Sequence, residues 1–322
     1  MDSRARQPHA MSGARDTWVG VALVMVSTAI FGSIPAVVTF LRDDMPLVEV
    51  LTYRGLLAGA MLFVLSMLVD RVGVRRGRAR PVLRGYRWRR RNAGLIVGVL
   101  LYAPQLMLFY TAFDYIETSL AVALGYIYPT IVLFLVAIRG GRPPSPRELG
   151  LAFMALAGIV ALTNPVSGAM VDVVGIVLVF VAAVFYALYV VVAGDLVADL
   201  PPLRVGGQVS VGVGLATAGY GMLGGTLGLP TAASAWLMLL VQAGMLTAAV
   251  ATYYLGLVRL GASTTSLIDC AQPLFAVVVG SWLLAEQLVA LQFIGLALVT
   301  LSVALTTALA HRRLAMPFAD PP

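Results

Sequence analysis

Ten membrane-length apolar blocks restrict this chain more than any other feature. They fall at 18–41, 46–69, 93–112, 118–138, 149–165, 173–194, 205–228, 233–255, 263–284 and 290–310. A helix of roughly 20 apolar residues crosses the hydrocarbon core of a bilayer. Only helices and closed barrels satisfy their own backbone hydrogen bonds there. The apolar residues run on within each block, without the three-to-four-residue spacing of an amphipathic helix. At 60% hydrophobic and 11% charged residues, a soluble fold would be left exposing large apolar patches. The expectation is an all-α integral membrane protein with ten transmembrane helices. The first block outruns a secretory h-region and lacks a small-x-small cleavage site, so it reads as a retained span.

Arginine sets the orientation, because cytoplasmic loops carry the excess of basic residues. All 22 basic residues are arginine. Ten of them, from Arg71 to Arg91, crowd the loop 70–92. Arg4, Arg6, Arg15, Arg139, Arg142, Arg147, Arg259, Arg312 and Arg313 join that loop on one side if both termini are cytoplasmic. The opposite loops hold Asp43, Asp44, Asp114, Glu117, Asp172 and Glu286 against Arg42 alone. The chain then divides into a cytoplasmic tail 1–17, spans one to five over 18–165, spans six to ten over 173–310, and a second cytoplasmic tail 311–322. The arginine loop has no interleaved aromatics beyond Tyr86 and Trp88, so it reads as a topology determinant touching anionic lipid and not as a nucleic-acid site.

The two halves repeat one another. A constant shift of about 144 residues superimposes Tyr110 on Tyr254, Ser119 on Ser263 and Pro129 on Pro273, the fixed-period self-similarity that marks repeat architectures. Val19-Gly20 matches Val174-Gly175, and Gly150-Leu-Ala matches Gly295-Leu-Ala. An odd number of spans per copy makes the second copy enter the membrane from the opposite side. The result is a pair of inverted five-helix repeats, the usual build of a secondary transporter.

Several stretches resemble the EamA-like branch of the drug/metabolite transporter superfamily. They are Tyr126-Ile-Tyr-Pro129 inside a small-residue span, Leu260-Gly-Ala-Ser263 running on to Pro273, Trp282-Leu-Leu-Ala-Glu286 with Gln292-Phe-Ile-Gly295, and Arg54 ahead of Ala58 and Ala60. The resemblance covers roughly 18–310. It implies ten helices in two inverted halves, alternating access through a central cavity, and export of small metabolites, amino acids or drugs. The chain departs from the family pattern at Phe31-Gly32, Gln272 and Arg142, and places Asp269 one turn before Pro273.

Asp269 is the most pointed residue. An ionised carboxylate in hydrocarbon is costly, so an intramembrane acid normally faces the bundle interior with a partner or a proton. Pro273 has no N–H and its ring displaces the carbonyl four residues earlier, that of Asp269. Pro129 does the same to Gly125. Asp269 either exchanges a proton or pairs a cationic cargo, or else stitches helices as a neutral acid. Arg54, the other internal charge, reads as a gating or structural residue or as a fork for a carboxylate. Tyr102, Gln105, Tyr126, Tyr128, Tyr186, Tyr189, Gln208 and Gln272 lie within the blocks as hydrogen-bonding groups for a polar cavity. Coupling or gating falls to Asp269, Arg54, Pro129 and Pro273; substrate contacts fall to the tyrosines with Gln105 and Gln272. Gly221 with Gly225 and Gly224 with Gly228 form GxxxG pairs, read as a close helix contact within the chain or a homodimer face.

Other classes are disfavoured. Without lysine there is no P-loop ATPase and no Schiff base. His9 and His311 lie outside the blocks, no HExxH occurs, and Cys270 has no histidine to activate it, so neither a metal nor a catalytic constellation is expected. No cofactor is implied. The reading is a secondary active transporter of the cell membrane, with small-molecule cargo, protons and lipids as partners. A passive facilitator or pore is the alternative, and an intramembrane enzyme a remote one.

Overall fold

The computed structural model describes residues 14–41, 45–75, 92–116, 118–140, 143–163, 172–284 and 289–315. Most of the arginine loop, Arg142, Glu286 and both tails lie outside the described residues. The fold is all-α. Helices α1 (Ala14–Leu41) and α2 (Leu47–Arg75) are followed by a composite segment: α3 (Ala93–Val97), a π-turn (Gly98–Tyr102), α4 (Ala103–Thr111) and a 3-10 turn (Ala112–Asp114). Then come α5 (Thr118–Gly125), α6 (Tyr128–Gly140) and α7 (Pro146–Thr163). The second half holds α8 (Val173–Asp199), α9 (Pro202–Leu223), α10 (Ala233–Asp269), α11 (Gln272–Leu284) and α12 (Ala290–Ala315). Among the described residues, seven helical stretches are long and apolar enough to cross a membrane, with further helices beside them. This is a multi-pass membrane protein.

Local sequence explains the interruptions. Pro104 has no N–H for the carbonyl of Leu100, and the ladder shifts to a wider turn in which the Ala103 N–H bonds Gly98 O. Gly261 interrupts α10 at φ 75° and ψ 168°, a conformation open to glycine. It falls between the apolar blocks 233–255 and 263–284. The α8 start is capped by Asp172, whose Oδ1 accepts the Val174 N–H at 2.8 Å.

One reading is corrected here. The glycines after Tyr220 do not line one helix face. Helix α9 ends at Leu223, Gly225 takes φ +64°, and the N–H groups of Thr226 and Leu227 both return to Gly221 O at 2.9 and 3.3 Å. That is a helix stop of the left-handed glycine type, so Gly225 and Gly228 fall outside the helix and the pairs do not form one stripe. Close packing within the chain holds at Gly221 and Gly228, where a β-carbon would lie 2.8 Å from Val48 Cγ1 and 2.9 Å from Glu49 Oε1 of α2.

Packing is exchanged between the halves. Helix α1 lies on α10 and α11, while α8 lies on α4 and α6; α2 packs on α9, and α7 on α12. Glycines let the backbones close up: a β-carbon at Gly59 would sit 3.1 Å from Gly207 O, and one at Gly98 2.4 Å from Val209 O. The exchange extends to single contacts. A β-carbon at Gly20 would lie 2.9 Å from Leu260 Cγ, and one at its match Gly175 would lie 2.7 Å from Ile116 Cγ2. Ile116 and Leu260 are themselves related by the 144-residue shift.

Candidate functional site

In each half one helix is interrupted two residues ahead of a proline, at Pro129 and Pro273, and the two interruptions share two matching backbone hydrogen bonds. Between α5 and α6 the Ile127 N–H bonds Leu124 O at 3.1 Å, and the Ile131 N–H bonds Ile127 O at 3.3 Å. Between α10 and α11 the Ala271 N–H bonds Ile268 O at 3.0 Å, and the Phe275 N–H bonds Ala271 O at 3.3 Å. The donors and acceptors of these two bonds in the second break lie 144 residues beyond their counterparts in the first. Pro129 and Pro273 each follow the break by two residues, and neither can donate to Gly125 or Asp269.

The breaks meet through side chains. The Tyr128 hydroxyl, at the start of α6, donates to Asp269 Oδ2, at the end of α10, at 2.8 Å. Thr28 Oγ1 of α1 lies 3.3 Å from Asp269 Oδ1 and donates to Val24 O at 2.6 Å. Asp269 is 2% exposed, and among the described residues no cation faces it. This set accommodates both forms of the acid. The carboxylate accepts from Tyr128 and shares the Thr28 proton. The neutral acid donates to the free lone pair of Thr28 while Tyr128 still donates to its carbonyl oxygen.

Tyrosines run from this junction to a cavity. The Tyr128 ring meets Tyr186 edge-on at 4.5 Å, and Tyr186 lies 5.6 Å from Tyr189 and 5.9 Å from Tyr102. Tyr102 and Tyr189 stack at 4.5 Å with their planes 6° apart. The Tyr189 and Tyr254 hydroxyls share a hydrogen bond of 2.9 Å. Tyr102, Tyr186, Tyr189, Tyr253 and Tyr254 line the cavity with Phe31, Ser210 and Arg54, and its volume is ≈ 40 Å³. That is room for a few waters. Tyr102 closes the π-turn, the kind of helix irregularity that recurs at functional sites.

Of the residues singled out in the sequence, Arg54, Tyr102, Tyr186 and Tyr189 are brought to this cavity, and Tyr128 and Asp269 to the junction behind it. Tyr126 packs beside Tyr128 at 6.0 Å. Gln105, Tyr126 and Gln272 do not line the cavity. Gln105 has a buried Oε1 with no partner. The backbone of Gln272 abuts α1: a β-carbon at Gly32 would lie 2.5 Å from Gln272 O. Gln208 is buried against α3, where its Oε1 would lie 2.8 Å from a β-carbon at Gly94. Thr28, Tyr253 and Ser210 were not picked out as site residues. Tyr254 and Phe31 were visible only as a repeat marker and a family departure. Glu49, five residues before Arg54, accepts the Gly228 N–H at 2.8 Å and is engaged elsewhere.

A two-fold repeated bundle of membrane helices, broken at matching prolines beside a tyrosine-lined cavity, is the build of a solute transporter. The sequence model of the EamA-like transporter family matches residues 18–164 and, a second time, 173–308; the chain belongs to that family. A crystal structure of another protein aligns at TM-score 0.74 and 19% identity, over 94% of this chain and 99% of that one. At that identity the likeness is one of fold. No curated protein matches the chain.

Proposed function

We propose that this chain is a secondary active carrier that exports a small amphipathic metabolite by alternating access, in exchange for protons. Ten spans with both termini cytoplasmic and the second half inverted account for the arginine distribution and for the exchanged packing. The observation that carries the reading is the junction of the two broken helices. A titratable carboxyl, 2% exposed, sits at the end of one broken helix, bonded by the Tyr128 hydroxyl from the restart of the other and by Thr28, one tyrosine layer from the cavity. Broken helices near the middle of a bundle are where repeat-built transporters hold cargo and coupling ions. The small cavity belongs to a closed state, and rocking of one half against the other opens it.

Uptake of a mixed panel of amino acids and aromatic amines into proteoliposomes, with and without an imposed pH gradient, tests the proposal. Accumulation that follows the gradient supports a proton-coupled carrier. Flux that saturates but ignores the gradient leaves a facilitator, and flux that does not saturate leaves a pore.

A further inference from the structure

The cavity has a charge preference that the carrier reading does not require. Its lining includes one charged side chain, Arg54, and no acid. Arg54 lies near the N-terminal end of α2, about two turns in, and is only partly buried. Among the described residues its guanidinium forms no ion pair, and Glu49 instead accepts the Gly228 N–H. The Tyr253 hydroxyl, also of the lining, is buried with no hydrogen-bond partner. Asp269 does not line the cavity, and Tyr128 and Thr28 already occupy its oxygens. Cargo in the cavity therefore meets a fixed cation and a spare hydroxyl. Beside them stand Tyr102 and Tyr189, stacked on each other, with Tyr186 tilted 34° from Tyr102.

Resting on the carrier reading, we infer that the cargo is a small organic acid with a flat, ring-bearing body, its carboxylate held by Arg54. A guanidinium binds a carboxylate through two parallel N–H donors, and the tyrosine rings of the lining offer edge-on or offset contact to another ring. An aromatic cation is disfavoured in the same space. It would sit beside Arg54 in a low-dielectric cavity where like charges repel strongly, and the one nearby acid lies behind Tyr128 and Tyr186. Arg54 on this account touches substrate; Asp269 acts at a distance, on the proton.

The test is direct binding to the full chain purified in detergent, followed by calorimetry. The probes are benzoate, phenylalanine and phenethylamine, which share the ring and differ in charge. Benzoate or phenylalanine binds and phenethylamine does not; Arg54→Gln weakens that binding about tenfold or more. Arg54→Lys keeps the charge without the fork, so it folds as wild type does and recovers part of the affinity. Preferred binding of phenethylamine overturns the inference. So does carboxylate binding that Arg54→Gln leaves unchanged, or no binding by any probe at millimolar concentration. The carrier reading fails separately. If benzoate binds through Arg54 but is never transported into proteoliposomes, the anion site stands without a carrier. If phenethylamine is accumulated independently of Arg54, the carrier stands without the anion site.

Discussion

The first broken helix and the second share a backbone and differ in chemistry. Both interrupt their ladders two residues ahead of a proline, and two backbone hydrogen bonds match across the breaks. At the residue whose carbonyl the proline frees, the first carries Gly125 and the second carries Asp269. At the residue that restarts the helix, the first carries Tyr128 and the second Gln272. The repeat thus supplies a symmetric scaffold, and the acid and the hydroxyl that answers it are placed on opposite halves. A symmetric pair of acids would have put two carboxyls in one low-dielectric junction, where they repel. Asymmetry leaves one carboxyl, held from across the interface.

Substitution at the matched positions breaks the comparison most severely. Asp269→Ala leaves the Tyr128 hydroxyl buried without its acceptor, at about 1–3 kcal/mol of stability, and reduces gradient-driven uptake to leak. Gly125→Ala meets only the Phe109 ring edge, 3.1 Å from the new β-carbon. Its stability should stay within about 1 kcal/mol of wild type and transport should persist. Thermal melting in detergent and initial uptake rates read both. Equal effects at the two positions would remove the asymmetry from the account.

Next in size is Gly32→Ala, which forces a methyl against Gln272 O at the second break. About 1–3 kcal/mol of overpacking is expected, visible as a lower melting temperature. Tyr128→Phe is gentler, because it keeps the ring against Tyr186 and removes only the donor to Asp269. Uptake should slow about tenfold, the equivalent of one charge-assisted hydrogen bond, with an altered pH profile. An unaltered profile would confine Tyr128 to packing. The smallest effect belongs to Arg139, near the far end of the first broken helix, whose guanidinium pairs with Asp195 of α8. Both side chains are largely exposed, at 48% and 67%. Arg139→Gln should therefore cost under about 1 kcal/mol, and its melting curve should overlay that of wild type.

Much of this was legible in sequence, and what was not has a physical cause. Apolar block length identified a multi-pass membrane protein, because the bilayer imposes one length scale on every helix. Among the described residues seven stretches reach that length, against ten blocks read from the sequence. Pro129 and Pro273 announced both breaks, since a missing N–H acts locally. Asp269 stood out because charge is rare in hydrocarbon. Arg54 was visible as a charge, but whether it met cargo, lipid or a partner depends on the rotation of α2 against its neighbours. Thr28 and Tyr253 gave no sign, being ordinary residues made specific only by helices packed from the other half. The glycine pairs of α9 misled for a different reason. Spacing alone does not say whether a helix continues, and the Gly224-Gly225 pair followed by Pro230 was a turn signal that outweighed the periodicity.

The central claim is that the asymmetric junction couples a proton to cargo movement. The most direct measurement compares wild type with Asp269→Asn in proteoliposomes, under an imposed pH gradient and, separately, in exchange of labelled for unlabelled cargo without a gradient. Asparagine keeps an acceptor for Tyr128 and cannot exchange a proton. The account predicts that gradient-driven accumulation and its pH dependence disappear while exchange survives. Accumulation with unchanged rate and pH dependence in Asp269→Asn would contradict it, leaving Asp269 as a helix-to-helix contact.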